Sequence, residues 1–346
     1  MMNGGGRRRD NMDWTKGYSS NYYIKTVDSA TWRDLETIRI TGGSIKKERE
    51  GLRESAEVKC TEYDGTESWI RVYLDANQGG SYAHEALFTG LATSPKWDID
   101  GRRRSAELEC YSVLKPAEDI LLPRGWYVSA GANGAEAVRS LLSASPAPVT
   151  IADGAPALTN SIIAEDEETN LSMADKILEA INWRLRISGD GTISIEPYDV
   201  SADVDLDPLE NDVIETKISV ENDWFSCPNV FRAIDEDMTG IARDDDPASP
   251  LSTINRGREI WMQEDNCDLA EDESIAEYAR RMLKDAQRVS QTVSYDRRYL
   301  PDVLPGDLIM LRYPKQGVDG LYMVESQDIE LGHGATTSEE VTAKGD

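Results

Sequence analysis

The chain of 346 residues carries two histidines, His84 and His333, the residue type most often used as a general base. Neither stands beside a serine or cysteine motif that would make it the base of a nucleophilic pair. His333, in Gly332-His333-Gly334, reads as a turn residue, and His84, in Tyr82-Ala83-His84-Glu85, as a structural one. Asp203, Asp205 and Asp207 alternate like the opening of a calcium loop. However, the sixth position, where that loop turns sharply on glycine, is Pro208, and the twelfth, where it needs a bidentate glutamate, is Ile214. Gly131-Ala132-Asn133-Gly134 lacks the Lys-Ser/Thr of a phosphate loop and reads as the start of a helix. No Gly-x-Ser-x-Gly or His-Glu-x-x-His sequence occurs. The four cysteines, Cys60, Cys110, Cys227 and Cys267, are too far apart for a zinc or redox pair; Cys60 and Cys110 lie in strand-like runs and are expected in a core. A carboxylate pair for glycoside hydrolysis could be drawn from the 64 acidic residues, but nothing singles one out. The expectation is a non-enzyme without catalytic, cofactor-binding or metal-binding residues.

Charge excludes more. Asp and Glu number 64 against 37 Lys and Arg, a net charge of −27, and of the basic residues 25 are Arg and 12 Lys. An acidic, lysine-poor surface over a lean apolar content of 39 % suits molar salt, where self-repulsion is screened. The same field repels nucleic-acid backbones, which argues against sequence-specific DNA or RNA binding while leaving a channel through which DNA slides without sticking. No run is long and apolar enough to span a membrane, and the start, MMNGGGRRRDNMDW, has no apolar signal core.

Five segments follow from the patterning. Residues 1–13 are a Gly- and Arg-rich arm, and 14–115 an all-β unit with strands near Tyr22–Lys25, Ile38–Ile40, Glu57–Tyr63, Trp69–Leu74 and Leu108–Leu114. Asp64-Gly65 and Asp100-Gly101 are its hairpin signals. Residues 116–200 form an α+β middle: a short helix over 134–142, a second that Ser172 can cap, and a hairpin turning on Gly189-Asp190-Gly191. Residues 201–334 return to strands, with a polar loop from Asp235 to Pro250 and a helix opened by the Ser274/Glu277 capping pair. Pro305-Gly306-Asp307 then makes a tight corner before a hairpin of Leu308–Tyr313 and Leu321–Leu331, and 335–346 is a polar tail. The overall expectation is a β-rich α+β chain with two β-barrels flanking a small α/β middle. Arg102, Arg103 and Arg104 at a strand edge, and Asp244, Asp245 and Asp246 in the polar loop, are candidate contact residues; the corner residues Pro305, Gly306 and Asp307 are structural.

Three stretches taken in order carry a resemblance. Leu171-Ser172-Met173 through Asn182-Trp183-Arg184 precedes the strand Gly191-Thr192-Ile193-Ser194-Ile195. Cys227-Pro228-Asn229-Val230-Phe231-Arg232 follows, and then the helix from Ser274 leading to Leu304-Pro305-Gly306-Asp307 and Gly320-Leu321-Tyr322-Met323-Val324. From about residue 20 to 331 this order resembles the baseplate or tail-tip hub proteins of tailed viruses and contractile injection machines. The resemblance implies two tail-tube-like barrels per subunit and a homotrimer forming a pseudo-sixfold ring. Its implied partners are a tail tube or distal tail protein, a spike or tip protein and the C-terminus of a tape-measure protein. It also implies a place in the virion, with synthesis in the host cytoplasm, and the acidic composition points to a virus of a halophilic, archaeal host. The alternative function is a tail-associated envelope-degrading hydrolase.

Overall fold

Alternating apolar and polar side chains give the N-terminal third its strands: β1 (Ser19–Val27), β2 (Asp34–Glu48), β3 (Glu54–Cys60), β4 (Ser68–Gln78), β5 (Ser81–Ala92), β6 (Lys96–Asp100) and β7 (Arg103–Ser112). The structure, a computed structural model, describes residues 12–343 except 62, 64–66, 94, 102, 199–201, 207–213, 223, 236–237, 266, 268–273, 288–290, 302, 333 and 335. The Asp64-Gly65 turn and His333 therefore lie outside the described residues. In β3, Glu54, Ala56, Val58 and Cys60 turn inward and the residues between them outward. The strand order β1-β4-β5-β7-β3-β2, with β2 pairing back to β1, closes six strands into a ring. Closure leaves those six without a free edge and encloses a core that includes Ile24, Ile45, Val58, Ile70, Phe88 and Leu108. β6 folds onto β7 through Gly101, whose φ of +59° fits the Asp-Gly turn expected there. β5 escapes sequence reading because its first half, Ser81–Glu85, carries only Ala83 against the core, and only Leu87–Gly90 is a buried run.

The middle contains α1 (Lys115–Glu118), β8 (Tyr127–Val128), α2 (Gly134–Leu141), β9 (Val149–Ile151), β10 (Ile162–Ile163), α3 (Asn170–Ala180), β11 (Trp183–Ile187) and β12 (Ile193–Pro197). Asn133 caps α2 by accepting from the Glu136 amide at 3.0 Å, so the glycine-rich stretch does open a helix. α3 begins earlier than expected. Thr169, not Ser172, is its cap, and Ser172 is the third-position partner whose Oγ accepts from the Thr169 amide at 3.0 Å. The helices share one core with the sheet β11-β12-β9, in which Leu142, Met173, Ile177, Ile193 and Ile195 are buried.

The remainder comprises β13 (Ala202–Leu206), β14 (Ile214–Asn222), β15 (Val230–Asp235), β16 (Met238–Arg243), α4 (Thr253–Arg256), β17 (Trp261–Asp265), α5 (Ile275–Ala286), β18 (Gln291–Arg297), β19 (Leu308–Tyr313), β20 (Val318–Glu330) and β21 (Thr337–Ala343). β19 and β20 are the expected hairpin, and β20 continues past it so that Ser326–Glu330 pairs antiparallel with Ser44–Glu48 of β2. Strands from the two ends of the sequence thus share one 13-stranded sheet, where sequence patterning divides them into two barrels. Residues 337–343, which read as part of a polar tail, form β21.

Two compact units emerge: Met1–Lys217 with Tyr295–Val341, and Ile218–Ser294 with Thr342–Asp346. In the second, the sheet β16-β15-β17 carries α5 on one face over Phe231, Ala233 and Ala242, with Tyr278, Ala279 and Leu283 supplied by the helix. Gly240 permits that approach, since a Cβ there would lie 2.4 Å from the Ile275 carbonyl oxygen. β16 occupies part of the span expected as loop, because its inward residues, Gly240 and Ala242, are too small to mark a strand by hydrophobicity.

Candidate functional site

The corner Pro305-Gly306-Asp307 is built from its backbone outward. The Gly306 amide donates to Val324 O at 2.7 Å and the Val324 amide to Asp307 O at 3.0 Å, tying the corner to β20. Gly306 has φ of +87°, a region that glycine enters without cost. Asp307 accepts from the Leu304 amide at 3.0 Å, closing a local turn. Its two carboxylate oxygens then receive the two terminal nitrogens of Arg186 at 3.0 Å each, a bidentate pair from β11. Arg184, two residues earlier on the same face of β11, donates to Gly306 O at 3.3 Å and to Glu196 at 3.1 Å. The sequence shows the corner but not these partners, which lie some 120 positions away and look like any surface arginines. The corner is a docking joint for the α/β middle.

The far end of the same β11–β12 hairpin is seated on the closed ring. Asp190 O accepts from Trp32 Nε1 at 2.9 Å and from Arg71 at 2.8 Å, and Gly189 O accepts from Thr89 Oγ1 at 2.7 Å. Arg71 is buried, and its remaining nitrogens donate to Thr89 at 2.9 Å and to Asp34 at 2.7 Å. One hairpin is therefore pinned at both ends by charge-assisted hydrogen bonds. A second polar cluster lies beneath β21, where buried Glu339 receives Arg297 at 2.6 and 3.0 Å, Gln327 at 2.6 Å, and Tyr295. Burial raises the Tyr295 hydroxyl well above its ordinary range. Burial would also raise Glu339, but Arg297 and the hydrogen bonds to it hold the carboxyl below the usual value.

The candidate contact residues separate. Arg102 lies outside the described residues. Arg103 stands opposite Asp100 in the backbone register of the β6–β7 hairpin, and exposed Arg104 sits over the Trp97 ring at 3.4 Å. Beside them Ile99 is 72 % exposed. Asp244 is half-buried and accepts from Ser249 at 2.6 Å and Gln287 at 3.0 Å, so it anchors a loop. Asp245 accepts from Thr253, and Asp246 from the Ala248 amide at 2.8 Å, both on the exposed surface. The structure does not bring the arginine run and the aspartate run into one site. Another exposed apolar group was not foreseen: Tyr127 of β8 is paired with Ile163 of β10, and both are open to solvent. Single apolar residues in short strands give no periodic signal.

His84 does belong to a cluster, stacked on Tyr73 at 4.6 Å and paired through Nδ1 with Asp75 at 2.6 Å, on the exposed outside of the ring. Among the described residues no group of three or more His, Cys, Asp or Glu could hold a metal ion. No helix among them is long and apolar enough to cross a membrane.

No family model and no curated protein matches the sequence. Solved structures do match its fold. The 43 kDa tail protein of prophage MuSo2 from Shewanella oneidensis superposes with a TM-score of 0.64 at 12 % identity, over 93 % of this chain and 98 % of its own. The chain has a tail-protein fold. The tail protein from Neisseria meningitidis MC58 gives 0.63 at 16 % identity, over 94 % of this chain and 97 % of its own. A chain of the Francisella PdpA–VgrG complex shares the tail-protein fold over 94 % of this chain and 58 % of its own, with a TM-score of 0.56 at 8 % identity.

Proposed function

We propose that the chain is a structural hub subunit of a viral tail or baseplate. Three copies would form a pseudo-sixfold ring that joins the sixfold tail tube to a threefold spike or tip. The ring would leave a channel for the tape-measure protein and DNA. The supporting observation is the end-to-end likeness to two tail proteins, which leaves almost none of either chain unmatched. In this reading each subunit contributes two tube-like units, the closed six-stranded ring and the strands assembled around β19 and β20, and the doubly pinned β11–β12 hairpin fixes their relative geometry. Its partners are two further copies, the tube or distal tail protein, the spike or tip protein and the tape-measure C-terminus. The subunit is made in the host cytoplasm, ends in the virion and performs no catalysis. A net charge of −27 suits a lumen that must not retain DNA, and it suits a host of high internal salt.

Two measurements test the proposal. Native mass determination in molar salt should return three copies of the chain, and antibody labelling of particles should mark the tail end. A monomer in molar salt that never labels the tail end would overturn it.

The corner offers a variant test. A Cβ at Gly306 would meet nothing closer than 3.7 Å, and the cost argued for Val is conformational: a β-branched residue held at φ +87° is strained by about 1–3 kcal/mol. Gly306→Val should reduce the yield of complete tails, and Gly306→Asn, which tolerates that region better, should restore much of it. Normal tail assembly by the valine variant would count against a geometric role for the corner.

A further inference from the structure

The sheet of the second compact unit has two open edges. Among the described residues β16 and β17 each pair with β15 alone. β16 runs antiparallel to β15 and β17 parallel to it, so the two outer edges run in opposite directions. Each presents backbone N–H and C=O groups to any further strand. β17 has little other cover. α5 packs on β15 and β16 and reaches β17 through the Tyr278 hydroxyl, which donates to Glu264 at 2.7 Å. Trp261 and Met262, neighbours on a strand and therefore on opposite faces, are 48 % and 45 % exposed. Charge guards the end of this strand at Glu264 and Asp265, but its apolar start is open on both faces and along the edge.

The two edges complement one another. Val230 stands opposite Trp261, and Arg232 opposite Ile241, so Trp261 and Ile241 share the face turned away from α5. Ile241 is 54 % exposed. If β17 of one copy lies antiparallel to β16 of a second, setting Trp261 opposite Ile241 of the second copy joins these two exposed apolar groups. The same register puts Met262 opposite Gly240 of the second copy. There α5 comes so close that a Cβ on Gly240 would lie 2.4 Å from the Ile275 carbonyl oxygen, so Met262 gains beside it the helix that β17 lacks in its own copy. Two residues before Trp261, Glu259 falls opposite Arg243 of the second copy, a carboxylate against a guanidinium; within one copy these two already form an exposed ion pair. A slip of one residue turns the apolar groups to opposite faces, and a slip of two sets Trp261 opposite Arg243 or Thr239.

We propose that β17 of one copy adds to β16 of the next in this register, making one continuous sheet across the contact. The contact is head-to-tail, so each copy offers both edges and a closed ring leaves neither open. The number of copies rests on the trimeric hub reading; the edges, the register and the residue pairs are additional to it.

The double variant Trp261→Cys/Ile241→Cys tests the contact in the full chain. Within one copy the two positions lie on strands separated by β15, about 10 Å or more apart, whereas a disulfide needs Cα atoms within about 7 Å. The four native cysteines are buried. Treatment with oxidised glutathione in molar salt should give species of two and three linked copies on non-reducing gels, while each single variant stays unlinked. Hydrogen exchange on the unaltered chain needs no variant to fold: backbone amides of Trp261–Asp265 should exchange at least tenfold more slowly in the three-copy fraction than in the chain dissociated by dilution. Three copies by native mass with no linked species, or with β17 exchanging as fast as in the dissociated chain, would overturn this contact and leave the hub reading standing. Linkage by Trp261→Cys alone would show β17 meeting β17 about a twofold axis and would also overturn it. A single copy in molar salt would overturn both.

Discussion

Glu339→Ala is expected to destabilise the chain by about 3–5 kcal/mol, the cost of stranding a buried charge after its partner is removed. Arg297 is 1 % exposed and directs two of its nitrogens at the Glu339 carboxylate. Its remaining terminal nitrogen donates to the Arg298 carbonyl at 2.9 Å, which satisfies a hydrogen bond but supplies no counter-charge. Tyr295 and Gln327 lose their acceptor at the same time, and each orphaned buried donor adds about 1–3 kcal/mol before relaxation. The double variant Arg297→Met/Glu339→Leu should be far less damaging than either single change, because a well-packed apolar pair avoids both desolvation and an unpaired charge. The pH dependence has a fixed sign. Because the folded-state carboxyl of Glu339 lies below its ordinary 4.5, its stabilisation is fully present above that value and is lost as pH falls through the depressed one. Urea unfolding at neutral and acidic pH measures both effects. Equal midpoints for Glu339→Ala and the unaltered chain would show that the cluster carries no net stability.

That cluster also explains why the last strand was not legible. In Thr337–Ala343 the inward positions are Thr337, Glu339 and Val341, so an alternation is present but two of its three inward residues are polar. Hydrophobic periodicity reads such a segment as a tail. Only a partner that neutralises Glu339 makes the burial tolerable, and that partner, Arg297, sits 42 residues upstream. The pairing of β20 with β2 escapes for a related reason, since register between strands nearly 300 residues apart leaves no local mark. What was legible was local chemistry. The Asp100-Gly101 and Gly189-Asp190-Gly191 turns, the Pro305-Gly306-Asp307 corner, the Ser274/Glu277 capping pair and the burial of Cys60 and Cys110 all follow from a few adjacent residues. Of the candidate site, the corner was visible and Arg184 and Arg186 were not, because an arginine on an alternating strand looks the same whether it faces water or an aspartate.

Gly189→Ala should be among the most damaging single-methyl additions available. Gly189 lies at the hairpin tip, and a Cβ there would fall 1.6 Å from the Ala86 carbonyl oxygen and 2.3 Å from its carbon. Both obstacles are backbone atoms of β5, which is locked between β4 and β7 of the closed ring and cannot step aside as a side chain would. The tip must therefore lift, and lifting breaks the bonds from Trp32, Arg71 and Thr89 together. Arg71 keeps Asp34 as its counter-ion but loses the Asp190 carbonyl that receives its second terminal nitrogen. Overpacking alone costs about 1–3 kcal/mol, and each of the three hydrogen bonds lost adds about 1 kcal/mol, so a total of about 4–6 kcal/mol is expected. Gly320→Ala is the control: it places a methyl on β20, where nothing lies within 4 Å of it, and its effect should be slight. Urea midpoints and Trp32 fluorescence separate the outcomes. If Gly189→Ala unfolds like Gly320→Ala and Trp32 keeps its emission, the ring does not hold the hairpin tip. If the loss appears, the hairpin is seated by shape as well as by charge, and its second anchor at Asp307 then inherits a fixed orientation from the first.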